Sequence, residues 1–176
     1  MLLIGHRGAK ALEPENTLRS FRRAIELGVD MVELDVHICK SGEVVVLHDR
    51  TLLRTTRSRG FVGTKTISEL KKLNAGKGEH IPTLAEVIEA VHRRARINIE
   101  LKGKGTAAPL AVLLEHYLHS GGDKDDFLIS SFNHKELVAF HALLPKMRIG
   151  VLFIRINHRR YPLPMAEKLG AYSLHL

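Results

Sequence analysis

The stretch that decides the fold is Met31-Val32-Glu33-Leu34-Asp35-Val36, an apolar run that carries two acids. Side chains alternate between the faces of a β-strand, so Glu33 and Asp35 project from one face and the apolar side chains from the other. Two carboxylates on one face of a buried strand are costly unless a cation neutralises them. A divalent metal ion meets that need because hard cations bind carboxylate oxygens. We therefore predict a buried strand with a metal site on one face.

Around this strand, apolar strand patterns alternate with amphipathic helix patterns. Strands are predicted at 2–8, 31–36, 44–49, 97–102, 127–132, 148–153 and 171–176. The alternation predicts one α/β domain over residues 1–176, with a parallel sheet and helices outside it. Asn16 is predicted to cap the first helix. Residues 50–80 break this alternation, so we predict an insertion or long loop there. We expect it to have a functional role because loops of that length usually do.

Polar and charged residues gather at the ends of the first four predicted strands. In chain order they are His6 and Arg7, Glu33 and Asp35, His48 and Asp49, and Glu100 and Lys102. The C-terminal ends of the strands of a parallel barrel meet at one face, where active sites lie. We therefore expect these side chains to surround one mouth.

Each of these groups of polar residues also has a simpler explanation when it is taken alone. His6-Arg7-Gly8 alone fits a surface turn, and His48-Asp49 alone fits the cap of a strand end. The acid pair is also satisfied by an ion pair with Lys102. Their joint occurrence at consecutive strand ends favours a common site. His37 is a secondary candidate by its parity with the acids, and Phe132 lines either the substrate pocket or the core.

Composition and charge narrow the classes of function. The chain has 27 basic and 19 acidic residues and a net charge of +8, a balance that attracts anions such as phosphate esters. The basic residues are scattered and aromatic residues make up 5%, so nucleic acid binding is the weaker alternative. No apolar run approaches the roughly 18 residues of a membrane span. A first strand in place of a signal peptide and a single Cys39 favour a cytoplasmic protein.

Six short motifs resemble those of the glycerophosphodiester phosphodiesterase family. They are His6-Arg7-Gly8, Pro14-Glu15-Asn16-Thr17, Glu33-Leu34-Asp35-Val36, Val46-Leu47-His48-Asp49, Ile81-Pro82-Thr83-Leu84 and Glu100-Leu101-Lys102. Their order and spacing match along essentially the whole chain. The resemblance implies a TIM barrel with a short insertion after the third strand.

The resemblance also implies a role for each group at the mouth. His6 and His48 would be the general acid and base. Glu33, Asp35 and Glu100 would hold a divalent metal ion, Mg²⁺ or Ca²⁺. Arg7 and Lys102 would bind the substrate phosphate, with Asn16 orienting the site.

The expected reaction is the hydrolysis of a glycerophosphodiester, a small molecule, to glycerol 3-phosphate and an alcohol. Fixed cations neutralise the charge of the phosphodiester, and two histidines move the protons near neutral pH. We expect a substrate hydroxyl to attack first, giving a cyclic phosphate that water then opens. Two alternatives stay open: lysophospholipase D activity on single-chain lipids, and an inert barrel that only binds phosphate or metal.

The length raises a question about the barrel itself. A (β/α)₈ barrel typically takes about 250 residues, and this chain has 176 with seven candidate strands. We therefore expect a C-terminally truncated barrel. An open barrel exposes strand edges and apolar wall, so we expect a second chain, a domain swap or a rearranged terminus to cover the gap.

Overall fold

The chain forms a curved sheet with helices along its outer face. The computed structural model describes residues 1–153 and 162–175. The strands are β1 (Ile4–His6), β2 (Met31–Ile38), β3 (Val44–Val46), β4 (Arg96–Leu101), β5 (Phe127–Ser131), β6 (Ile149–Leu152) and β7 (Ser173–His175). The helices are α1 (Leu18–Glu26), α2 (Leu53–Thr56), α3 (Ile67–Leu70), α4 (Leu84–Val91), α5 (Ala107–His119), α6 (His134–Leu143) and α7 (Pro162–Lys168), with 3₁₀ turns at Val62–Thr64 and Lys124–Asp126.

All strands except β3 run parallel, in the order β1-β2-β4-β5-β6-β7, which is also their order along the chain. This is how strands follow one another around a (β/α)₈ barrel. The pairing of β2 with β4 extends from Met31↔Arg96 to Val36↔Leu101. The last predicted strand is confirmed as β7, and its predicted end, Leu176, lies outside the described residues.

The two edges of this sheet are open within the described part of the chain. There β1 pairs only with β2, and β7 pairs only with β6. Leu3, Ile4 and Leu174 at these edges are exposed. The coverage of these edges by a second chain, a domain swap or a rearranged terminus stays a prediction.

The third predicted strand does not join the parallel set. Instead, β3 forms an antiparallel hairpin with β2, pairing Val46 with Val36 and Val44 with Ile38. The physical reason is the connection: residues 39–43 are too few for the crossover that a parallel pair requires. The hairpin returns the chain to the level of Asp35, whose carbonyl oxygen accepts a hydrogen bond from the Leu47 N–H at 2.9 Å.

The two faces of β2 divide as the alternation predicts. Val32, Leu34 and Val36 are fully buried in the main hydrophobic core, which lies between the sheet and the outer helices. The helix side chains in that core include Phe21, Leu84, Val87, Leu110, Leu114, Leu137 and Phe140. The opposite face of β2 carries Glu33 and Asp35, on the inner side of the curved sheet.

Residues 50–80 pack as structure of their own. A second hydrophobic cluster, which we call the satellite core, lies there and is separate from the main core. Its buried members are Cys39, Val45, Leu47, Leu52, Val62, Leu70, Ala75 and Ile81. The segment therefore rests on one face of the β2–β3 hairpin. It contains α2, the 3₁₀ turn at Val62–Thr64 and α3.

Two helices begin with the Thr-x-x-Glu pattern of a capping box. Thr66 with Glu69, and Thr83 with Glu86, form reciprocal capping boxes at the starts of α3 and α4. In the ranges that the structure describes, no helix is both long enough and apolar enough to cross a membrane.

A turn at Gly8 is pressed against α1, and it can be tested by substitution. Gly8 has φ +77°, and a methyl group there would lie 2.5–2.8 Å from three atoms of Ser20, two of them backbone. Gly28 has the same φ but open space around it. We expect Gly28→Ala to cost about 1–2 kcal/mol from left-handed backbone strain. We expect Gly8→Ala to cost about 1–3 kcal/mol more, from the added clash.

Urea unfolding of the two variants measures this difference. Because both glycines have a φ of +77° and Gly28 has open space around it, Gly28→Ala is the matched control for strain alone. Equal losses of stability in the two variants would contradict the close packing of the Gly8 turn on α1.

Candidate active site

Three buried carboxylates meet on the inner face of the sheet. Glu33 and Asp35 lie on β2, and Glu100 lies on β4 directly opposite Asp35 in the strand register. Each offers an oxygen, and the three oxygens all lie within 4.8 Å of one another. The pairing of two parallel strands thus creates the cluster, and local sequence on either strand alone does not.

The cluster holds more negative charge than its environment easily accepts. Burial and the neighbouring charge of Asp35 raise the pKa of Glu33 to about 8. Burial also raises the pKa of Glu100, against the opposing effect of Lys102. Oδ1 of Asp35 is buried and accepts no hydrogen bond from the described residues. An oxygen-ligated cation fits this donor set, because it would stabilise the ionised forms and occupy the orphaned oxygen.

Two basic side chains lie against the cluster. Nε of Arg7 is 3.3 Å from Oδ2 of Asp35. Nζ of Lys102 is 2.8 Å from Oε1 of Glu100 and 3.6 Å from Oδ1 of Asp35. The ion pair considered from the sequence therefore exists. It does not satisfy the whole cluster, since the pKa of Glu33 stays raised.

Asn16 belongs to this site and is not the helix cap that the sequence predicted. The cap of α1 is Thr17, whose side chain accepts a hydrogen bond from the Ser20 N–H. Asn16 has φ 56°, and its Nδ2 donates to Oδ2 of Asp35 at 2.9 Å. A local capping pattern does not distinguish two adjacent cap-forming residues, and the buried carboxylate decides between them.

The two histidines expected to move protons occupy different surroundings. His6 ends β1, with Nε2 3.7 Å from Oε2 of Glu33, and about half of its side chain is exposed. Burial of the rest lowers the pKa of His6, and the positive charges of Lys10 and Arg7 add to the effect. His48 follows the β2–β3 hairpin, and its Nδ1 lies 2.6 Å from Oδ1 of Asp49.

Two further candidates border this arrangement. His37 is buried on the inner face, and its Nε2 lies 3.1 Å from the carbonyl oxygen of His48. It therefore supports the backbone of His48. The ring of Phe132, 45% exposed, lies 5.6 Å from Nζ of Lys102. Of the two sequence alternatives for Phe132, exposure beside Lys102 places it at the surface of the site and not in the core.

Sequence reasoning missed Arg54 altogether. Its Nε donates to Oδ2 of Asp49 at 2.5 Å, and its two Nη atoms donate to the two carboxylate oxygens of Glu15 at 2.7 and 2.9 Å. Oε1 of Glu15 also accepts from Nη1 of Arg7, at 3.1 Å. A spacing of five residues after Asp49 was the available signal. It did not stand out because other arginines surround it in the sequence.

Comparison with known families gives a match along almost the whole chain. A sequence model described as the glycerophosphoryl diester phosphodiesterase family matches residues 6–176. A glycerophosphodiester phosphodiesterase of Caldanaerobacter subterraneus is 40% identical, over 99% of this chain and 74% of that protein. A putative glycerophosphodiester phosphodiesterase of Bacillus subtilis is 35% identical, over 86% of this chain and 65% of that protein.

Solved structures of similar proteins superpose on almost the whole of this chain. An Oleispira antarctica phosphodiesterase, solved in complex with its product sn-glycerol-3-phosphate, superposes with a TM-score of 0.89 at 34% identity, covering 99% of this chain and 74% of that one. A putative glycerophosphodiester phosphodiesterase of Galdieria sulphuraria gives 0.86 at 28% identity, covering 98% and 73%. The prediction of the TIM-barrel fold is thereby confirmed.

The raised pKa of Glu33 predicts how stability depends on pH when a chelator is present. Between the ordinary pKa of a glutamate and about pH 8, the folded state keeps a proton that the unfolded state has released. This group therefore makes the protein less stable as pH rises across that window. His6, whose pKa is lowered by burial, acts in the opposite direction, so the Glu33 contribution is the difference between the wild type and Glu33→Gln. We expect that difference to reach a few kcal/mol.

Urea titrations at several pH values, with chelator throughout, measure it. The exposed Glu89→Gln is the matched control and should keep the wild-type dependence. An identical pH dependence in Glu33→Gln and the wild type would show that the Glu33 carboxyl is not in the charged, buried environment described above.

Proposed function

Because this chain belongs to the glycerophosphoryl diester phosphodiesterase family, whose members are phosphoric diester hydrolases, we propose that it hydrolyses a glycerophosphodiester to glycerol 3-phosphate and an alcohol. One observation carries the proposal: three buried carboxylates, two basic side chains and a histidine are in contact at one end of the sheet. The product bound to the Oleispira antarctica relative supports the same substrate class.

We propose that Glu33, Asp35 and Glu100 hold a divalent metal ion, Mg²⁺ or Ca²⁺. The donor set is all oxygen, as both ions prefer. The raised pKa of Glu33 and the orphaned Oδ1 of Asp35 support a cation there. The ion would supply positive charge to stabilise the negative charge that develops on the phosphate oxygens.

Arg7 and Lys102 are the proposed phosphate ligands. Both are anchored by acids of the site, Arg7 by Glu15 and Asp35 and Lys102 by Glu100. Cations fixed before the substrate arrives need no reorganisation in the transition state, and this preorganisation is a large part of electrostatic catalysis. Asn16 contributes indirectly, by holding the carboxylate of Asp35.

His6 and His48 are the proposed acid and base. The reaction needs one group to remove a proton from the attacking oxygen and another to return one to the leaving alcohol. Imidazole does both near neutral pH. Asp49 supports this role for His48. The Arg54 hydrogen bond is the largest of the effects that hold the pKa of Asp49 at about 2, so Asp49 is an acceptor for Nδ1–H.

We propose that the reaction has two steps. A hydroxyl of the glycerol moiety gives its proton to one histidine and forms a bond to phosphorus, while the bond from phosphorus to the alcohol oxygen breaks and that oxygen takes a proton from the other histidine. Water then gives a proton to a histidine and bonds to phosphorus, and the ring P–O bond that breaks leaves an oxygen that takes a proton from the other histidine, giving glycerol 3-phosphate. Phe132, exposed beside Lys102, is positioned to contact the substrate as it lies in the mouth.

Hydrolysis of glycerophosphocholine with and without Mg²⁺ or Ca²⁺ tests the activity. We expect turnover only with the ion. We expect His48→Gln to lower kcat by about 10²- to 10⁴-fold, the usual contribution of general acid–base catalysis. The exposed His119→Gln is the control and should keep wild-type turnover.

Three outcomes separate the alternatives. Turnover of lysophosphatidylcholine in preference to glycerophosphocholine would identify a lysophospholipase D. Calorimetric binding of the ion and of phosphate without any turnover would identify a binding protein. Turnover that is unchanged by a chelator would remove the metal from the proposal.

A rapid-quench experiment in ¹⁸O-water tests the cyclic phosphate. The two-step route predicts that a cyclic glycerophosphate accumulates early and then decays to product. Entry of one solvent oxygen into the phosphate with no cyclic species at any time would instead support direct attack by water.

A further inference from the structure

We propose that Arg54 is a positioning residue for the reaction, and that its single guanidinium holds Asp49 and Glu15 in place and, through them, His48 and Arg7. The inference rests on the hydrolytic function proposed above. None of the six sequence motifs includes Arg54, and its side chain donates hydrogen bonds to Asp49 and Glu15, which lie outside the carboxylate cluster.

The first arm of this bridge fixes the His48 ring. Oδ1 of Asp49 lies 2.6 Å from Nδ1 of His48, and Oδ2 of the same carboxylate accepts from Nε of Arg54 at 2.5 Å. With each oxygen committed to one partner, the carboxylate cannot rotate without losing a charge-assisted hydrogen bond. The Nδ1 atom of His48 therefore carries the proton, and Nε2 is left to exchange a proton with the substrate.

The second arm fixes the Arg7 side chain. Both Nη atoms of Arg54 donate to both oxygens of Glu15, the forked geometry that lysine cannot reproduce. Oε1 of Glu15 then accepts from Nη1 of Arg7, whose Nε lies beside Asp35. Arg7 is thus held on one side by the metal-site acid and on the other by an acid that Arg54 has already oriented.

The position of Arg54 follows from its neighbours in the chain. Leu52 is fully buried in the satellite core, and the Thr56 hydroxyl donates to the Leu52 carbonyl oxygen at 2.7 Å. These contacts anchor α2 at both ends, with Arg54 between them. The segment 50–80 therefore holds the Arg54 guanidinium at the rim of the site.

An ordinary surface ion-pair network is the competing explanation. The Arg54 side chain is 47% exposed, and ion pairs of that exposure contribute little to stability. The two explanations thus differ in what Arg54→Ala changes. A surface network predicts little effect on anything, while a positioning role predicts a loss of activity much larger than the loss of stability.

The ring tautomer of His48 gives a test that does not depend on turnover. In the full chain labelled with ¹⁵N-histidine, at a pH where the rings are neutral, His48 is assigned by the signals lost in His48→Gln. We expect the Nδ1–H tautomer in the wild type and a shift towards Nε2–H in Arg54→Ala. The exposed Arg59→Ala removes the same charge from the same segment and should leave the His48 signals unchanged. Unchanged signals in Arg54→Ala would overturn the proposal.

Steady-state kinetics test both arms. We expect Asp49→Asn to lower kcat chiefly, Glu15→Gln to raise KM chiefly, and Arg54→Ala to do both, with kcat/KM reduced about 10- to 100-fold or more. Arg54→Lys should recover part of the loss, since it keeps the charge without the fork. The double variant Arg54→Ala/Asp49→Asn should have a kcat no lower than that of Asp49→Asn alone. Both substitutions break the same arm, the one that runs from Arg54 through Asp49 to His48.

The outcomes separate this inference from the function on which it rests. Additive effects in the double variant, or an activity loss in Arg54→Ala that only follows its unfolded fraction, would overturn the positioning role. Absence of turnover in the wild type would contradict the proposed hydrolysis instead. In that case the His48 tautomer still decides whether Arg54 orients the ring through Asp49.

Discussion

The burial of three carboxylates at one point of a parallel sheet is the constraint on which the rest of the site depends. Water cannot stabilise these charges, so the surrounding chain must. Arg7 from the first turn, Asn16 from the loop before α1 and Lys102 from the end of β4 all reach the same group, Asp35. Elements far apart in the sequence are thus fixed to one another through an electrostatic requirement as well as through the hydrophobic core.

Because of the β2–β3 hairpin, one barrel strand both carries acids of the cluster and leads directly to His48. The parallel neighbour β4 provides Glu100, the third carboxylate of the cluster, on one side, and the antiparallel return places His48 near the same end on the other side. A helical crossover to a parallel strand would need a dozen or more residues to bring another strand end to the same place, whereas residues 39–43 suffice for the hairpin. The short return also leaves β3 with a free apolar face, which residues 50–80 cover.

Sequence patterns predicted most of the fold and much of the candidate site because those features are local or periodic. The alternation in β2 and the capping boxes at Thr66 and Thr83 depend only on nearby residues. The direction of β3 was missed although the short 39–43 connection argued for a hairpin. The helix-cap role predicted for Asn16 was wrong because its side chain donates to a carboxylate that lies far along the chain, on β2. Arg54 was not recognised because its ion pair with Glu15 spans 39 positions of sequence and leaves no periodic pattern.

The satellite core has a consequence for how the molecule opens. Its buried side chains form a cluster distinct from the main core, so the packing of the segment 50–80 and the packing between the sheet and the outer helices rest on different side chains. Segments of that kind form separate cooperative units with their own opening free energy. Leu52, which anchors the turn that carries Arg54, belongs to this smaller unit. The integrity of the rim therefore depends on a different set of packed side chains from the integrity of the barrel.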